Sequence, residues 1–226
     1  MNKIHHLFLL LATLAGLTSC NESSNSYDVL AIYPILADYH IIYADQTEDT
    51  VVVYSTRDWT ATCSTNWLSM SPFDMSGQVG KEGYYSKALP VLFRENTTEQ
   101  ARIANLQVTS NGKKVDHPFF QTYWLNIEEP AGNYSTAEKA ENLKVTFTKV
   151  IDKDATSAPI AFTLYNGGTL SSDAAWAVPD STTFEAGPTE TNITCETNQT
   201  GVARTAHLTL TSASGISTVI QLQQNP

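Results

Sequence analysis

At 226 residues, 42% of them hydrophobic and 10% aromatic, the chain has enough apolar material for two modest cores and is not a disordered or low-complexity polymer. Thirteen Lys and Arg against 23 Asp and Glu leave a formal net charge of -10, which excludes a nucleic-acid partner because phosphate neutralisation needs clustered cations. There is no G-x-S-x-G elbow, phosphate-cradling glycine loop or H-E-x-x-H pair, and the five histidines are scattered, so no enzyme activity, cofactor or metal is expected.

The N-terminus reads as a targeting segment. Lys3 precedes an apolar stretch from Leu7 to Leu17 that is too short for a permanent membrane helix. It closes on Leu17, Thr18, Ser19 and Cys20, which resembles the lipobox of bacterial lipoproteins, where cleavage leaves the cysteine first and acylated. Residues 1–19 are therefore expected to be a lipoprotein signal peptide, Cys20 the lipid attachment site and residues 20–26 a tether. This implies a cell-envelope protein anchored by lipid at the outer membrane, on its surface or periplasmic face. Loss of Lys3 with the leader takes the formal charge from -10 to -11. Cys63 and Cys195 alternate with apolar neighbours and read as small core residues with free thiols, a disulfide in an oxidising compartment being the alternative.

Further along, "VVVYSTRDW" from Val51 and "WTATC" from Trp59 are strand candidates. "TSNGKK" places Asn111-Gly112 between two alternating runs, a strong hairpin signal. "ARIANLQVTS" (101–110) then recurs as "ARTAHLTLTS" (203–212), six of ten letters agreeing at an offset of 102. The match extends upstream to pair Val91 with Ile193, Asn96 with Asn198 and Arg102 with Arg204, and downstream, at 103, to pair Gln121 with Gln224; Trp67 corresponds to Trp176. Ala104, Leu106 and Val108 match Ala206, Leu208 and Leu210 on one face, whereas Ile103, Asn105 and Gln107 face Thr205, His207 and Thr209 on the other. The kept face is apolar, which is the mark of a duplicated core strand, not of a duplicated ligand site. Period-2 alternation dominates, apart from "STAEKAENLK" (135–144), which is read as either a short helical turn capped by Ser135 or a loop. The fold class is all-β: two immunoglobulin-like antiparallel β-sandwich domains in tandem, over 27–124 and 125–226.

Trp59, "NWLSMSP" with Trp67 and Leu68, Asn96, Arg102 and the closing Gln121 resemble the BACON family, the Bacteroidetes-associated carbohydrate-binding often N-terminal domain. The second copy supplies Trp176, Asn198, Arg204 and Gln224 without the first Trp or the Ser-Pro segment. The resemblance implies a β-sandwich and a glycan partner, host or dietary.

Catalytic pairs are poorly provided for. Glu128 and Glu129 are adjacent in an extended segment and point to opposite faces, and "DKD" at 152–154 has too few oxygen ligands for calcium. Binding has more material. The first copy carries additional residues from Phe73 to Pro90, and this Gly-rich loop holds Tyr84, Tyr85, Lys81, Glu82 and Lys87, where rings stack on sugar C–H faces and polar groups fix hydroxyls. The expected function is non-catalytic glycan binding through loops of the first sandwich. The alternative is a structural spacer or scaffold, or a fimbria-like subunit making contacts with a protein partner in the envelope.

Overall fold

The computed structural model describes residues 28–36, 39–128 and 147–226. The expectations placed on the signal peptide, Cys20, the tether, Glu129 and the segment 135–144 lie outside the described residues.

The first sandwich contains nine strands among the described residues: β1 (Leu30–Tyr33), β2 (His40–Ile42), β3 (Glu48–Ser55), β4 (Trp59–Cys63), β5 (Leu68–Ser69), β6 (Ser76–Gly77), β7 (Tyr85–Phe93), β8 (Arg102–Ser110) and β9 (Lys113–Gln121). They form one sheet in the order β1-β3-β7-β5 and another in the order β2-β9-β8-β4-β6. Nine more follow: β10 (Asn126–Ile127), β11 (Phe147–Ile151), β12 (Ser157–Leu164), β13 (Gly168–Ser172), β14 (Ala177–Pro179), β15 (Thr183–Phe184), β16 (Gly187–Cys195), β17 (Arg204–Ser212) and β18 (Ser217–Gln224). Their sheets run β10-β12-β16-β14 and β11-β18-β17-β13-β15. Adding nine to each strand number of the first sandwich gives the second, so the duplication is complete at the level of topology, even where the letters have diverged.

The immunoglobulin-like sandwich is antiparallel with one exception in each copy. β1 and β2 lie in opposing sheets, and β2 joins β9 in parallel, His40 opposite Phe119; β11 joins β18 the same way. Alternation sets what is inside. Val51, Val53, Leu89 and Val91 are fully buried in one sheet, and Ala104, Leu106 and Val108 are buried in the other. Each such side chain contributes about 1.5–3 kcal/mol to the core relative to exposure. The β8–β9 hairpin turns at Asn111 (φ 45°) and Gly112 (φ 77°), the left-handed pair that a two-residue turn of this type requires.

The two sandwiches are locked at their junction. Ala44 and Trp124 belong to the second core, Asp45 Oδ2 accepts from Tyr165 N–H (2.9 Å), and Glu95 Oε1 accepts from Asn166 Nδ2 (2.6 Å). Cys63 and Cys195 are free thiols, half-buried and buried respectively.

Candidate functional site

The family-like residues are engaged inside the protein, identically in the two copies. Arg102 Nε donates to Gln121 Oε1 (2.8 Å) and Nη2 to Arg94 O (2.6 Å), while its guanidinium lies 4.6 Å from the centre of the Trp67 ring. Arg204 does the same with Gln224 (2.8 Å), Glu196 O (2.6 Å) and Trp176 (4.2 Å). Asn96 Nδ2 donates to Gln100 O and Thr122 O, and Asn198 Nδ2 to Val202 O and Asn225 O. These groups stitch the loop between β7 and β8 to the end of β9, and its counterpart to the end of β18. Trp59 and Trp67 are buried. The shared signature is thus architecture, and ligand chemistry has to come from what differs.

The additional residues of the first copy resolve into two parts. Seven residues separate β6 from β7, against two between β15 and β16. The expected loop ends earlier than Pro90, because β7 already begins at Tyr85 and pairs with β3 from Ser55↔Tyr85 onward. This ladder sends the adjacent tyrosines to opposite faces. Tyr85 turns inward, half-buried, and meets the Trp59 ring edge-on at 5.2 Å; burial pushes its phenol above the usual range. Tyr84 faces outward, 44% exposed, and stacks on Tyr54 at 5.8 Å and 22°. It is the diagonal cross-strand neighbour of Tyr54, a reach that aromatic side chains make. Lys81 and Glu82 are exposed at the centre of a turn closed by Gly83 N–H to Gly80 O (3.1 Å). Lys87 is exposed and paired with Asp74 (3.2 Å), tying β7 to the 3-10 turn Pro72–Asp74, where Phe73 is 93% exposed.

Two residues beyond Tyr54, at Thr56, begins an open cleft of about 450 Å³ lined by Thr56, Arg57, Asp58, Val79 and Asn111. Asp28 balances Arg57 (2.7 Å) and accepts from Asn111 Nδ2 (2.7 Å); the Arg57 hydrogen bond, followed by that of Asn111, holds its carboxyl below the usual range. Asp58 Oδ1 accepts from Val79 N–H (2.8 Å) and so pins the added loop to the turn after β3. The cleft therefore mixes donors and acceptors around paired charges. Thr56, Arg57 and Asp58 are contiguous in the sequence, but Val79 and Asn111 are remote from them and only folding brings these groups together. In the second copy the register replaces Tyr54 by Thr163 and Tyr84 by Ala186. A groove of about 540 Å³ against β13 and β14 has no aromatic lining, and its one charged side chain, Asp173, is engaged by His207 (2.8 Å).

The copies also explain the missing first tryptophan. Trp59 lies opposite Gly77, and the equivalent pair in the second copy is Gly168 opposite Phe184. The ring has crossed to the other strand: a Cβ on Gly77 would fall 2.3 Å from Trp59 Nε1, and one on Gly168 would fall 2.1 Å from Thr211 O.

No curated protein matches this sequence. Among solved structures, a Bacteroides ovatus GH5 xyloglucanase in complex with a XXXG heptasaccharide is 23% identical over 34% of this chain (TM-score 0.32), a stretch spanning 17% of the xyloglucanase. The YadV chaperone is 11% identical over 86% of this chain and 98% of its own (TM-score 0.34), and a three-domain titin fragment is 7% identical over 87% and 65% (TM-score 0.31). The BACON family model, described as "Putative binding domain, N-terminal", matches residues 57–116 and again 167–225, more than half of the sequence, and the chain therefore belongs to the BACON family, with two copies in tandem.

Proposed function

We propose that this protein is a non-catalytic, lipid-anchored component of the cell envelope that binds glycan at the loop end of its first sandwich. The observation that carries this reading is the exposed Tyr84 stacked on Tyr54, a ring pair for which the second copy has Thr163 and Ala186, with a polar, charge-balanced cleft opening two residues along the chain at Thr56. Apolar sugar faces stack on such rings while hydroxyls are fixed by mixed donors and acceptors. Tyr85 supports the loop from below, and Lys81 and Glu82 at the turn tip and Lys87 on its flank offer peripheral contacts. Binding of the full chain to a glycan array tests it: Tyr84→Ala and Tyr54→Ala should each lower affinity about tenfold, roughly the 1–1.5 kcal/mol of a lost stacking contact, and unchanged binding in both rejects this site. The anchor is tested separately, by loss of detergent-phase partitioning in Cys20→Ser.

A second reading, a structural spacer that holds a protein partner away from the membrane, is favoured by the junction, where one sandwich inserts Ala44 and Trp124 into the core of the other. Absence of binding to every glycan by a folded, monomeric chain would select it.

A further inference from the structure

The outward positions of β3 and β7 prolong the Tyr54–Tyr84 contact along the sheet. Their inward neighbours are fully buried, so Val52 and Tyr54 share the solvent face with Ala88, Pro90 and Leu92. The register sets Tyr54 opposite Ser86, Val52 opposite Ala88, and Thr50 opposite Pro90; the first charge on the stripe is Glu48, opposite Leu92 at its far end. Leu92 lies eight residue steps beyond Tyr84, about 26 Å of extended strand. The same backbone ladder in the second copy carries Ala161 and Thr163 opposite Glu190 and Pro188, with Asn192 and Thr194 further along. Each ladder carries one carboxylate, Glu48 at the end of the first and Glu190 midway along the second, so what belongs to the first copy is the uninterrupted aromatic and apolar stretch from Tyr84 to Pro90, which the fold does not dictate.

The shape and charge of the stripe select its occupant. The chain as a whole carries -10, yet this face offers no charge with which to attract or repel a ligand until Glu48. Its outward side chains are short or flat, with two tyrosine rings and a proline ring along β3 and β7. Apolar ring faces flanked by the hydroxyls of Thr50, Ser86 and Ser69 suit a chain of neutral sugars. Pro90, which has no N–H to leave unpaired, sits where β7 is free of β5, whose pairing reaches only Leu92 and Phe93.

We infer that this face is a platform for an extended, uncharged polysaccharide lying along β3 and β7, with the Tyr54–Tyr84 ring pair as its terminal anchor. The inference rests on the glycan reading above. The full chain is run by affinity electrophoresis through gels containing xyloglucan, galactomannan, laminarin or polygalacturonate, and the di- and hexasaccharides of the retarding neutral polymer are then titrated calorimetrically. The hexasaccharide should bind at least about tenfold more tightly than the disaccharide, and Leu92→Asp should remove that gain while leaving the disaccharide within about twofold. Pro90→Glu should repeat the effect and stands in if Leu92→Asp does not fold. Equal affinities for the two lengths, hexasaccharide binding indifferent to both variants, or stronger retardation by polygalacturonate would each overturn the platform while leaving the glycan reading in place. No retardation in any gel would overturn both.

Discussion

Gly77 shows how one residue can be dictated by a ring on the neighbouring strand. A methyl group added there would meet Trp59 Nε1 at 2.3 Å, Trp59 Cε2 at 2.6 Å and Tyr85 Cε2 at 2.7 Å, whereas Gly80, three residues on, has nothing within 4 Å. Gly77→Ala is expected to destabilise by about 1–3 kcal/mol through overpacking, and Gly80→Ala to leave the melting temperature nearly unchanged. Transplanting the second copy's solution tests the swap directly: Trp59→Gly with Gly77→Phe should be more stable by thermal denaturation than either single change. A double variant no better than the worse single one would show that the two aromatic placements are not interchangeable. The same scale separates Tyr84 from Tyr85, since replacing both at once would confound loss of an exposed ring with loss of support under Trp59.

At the scale of elements, β2, β3 and β9 meet in a titratable cluster. His117, on β9, is 3% exposed and lies 2.9 Å from His40 Nδ1, while His40 Nε2 lies 3.0 Å from Asp49 Oδ2. Burial first, and the His40 charge second, lower the His117 pKa from 6.5 to about 4, against the opposing pull of Asp49. A proton on His117 is thus favoured in the unfolded chain. Stability from this group is complete above about pH 6.5 and is lost as the pH falls towards 4, at about 1.4 kcal/mol per unit and about 3 kcal/mol in all. Burial works to raise Asp49, but hydrogen bonds from His40 and Thr50 N–H outweigh it and leave its pKa lowered, so Asp49 withdraws stability in the same direction at lower pH. Melting temperatures between pH 7 and 4 should fall less steeply in His117→Phe than in the native chain; parallel curves would remove His117 from the account.

For the whole molecule the junction decides whether two sandwiches behave as one body. Asp45 is fully buried; its Oδ2 accepts from Tyr165 N–H, Asn166 Nδ2 reaches both Asp45 O (3.4 Å) and Glu95 Oε1 (2.6 Å), and Asp45 Oδ1 has no hydrogen-bond partner among the described residues. Burial raises the Asp45 pKa, so its charge opposes folding at neutral pH. Asp45→Asn keeps the acceptor and removes the charge, and is expected to melt at or above the native temperature at pH 7. Asp45→Ala strands the Tyr165 N–H, costs about 1–3 kcal/mol, and should broaden or split a single calorimetric transition. Identical behaviour of the two variants would show that the junction is held by apolar contacts alone.

By itself the sequence determined the elements and their duplication. Period-2 alternation, the Asn111-Gly112 turn and the repeated Ala104/Leu106/Val108 face are local patterns, and local patterns suffice to say which side of a strand is buried. The family membership rests on the same footing, because Trp67, Asn96, Arg102 and Gln121 recur as Trp176, Asn198, Arg204 and Gln224 in chain order. The tertiary structure alone decided what those residues do and where a ligand has room. Arg102 is a bare motif letter in the sequence, and only the fold shows it bonded to Arg94 O and Gln121 Oε1. Tyr84 and Tyr85 were equivalent until the register with β3 sent one to solvent and the other onto Trp59. The cleft joins Asp28 to Asn111, 83 residues apart, and the aromatic partner of Gly77 changes strands between copies. Such contacts depend on how sheets pack across a core about 10 Å thick, a distance over which no short stretch of sequence carries information.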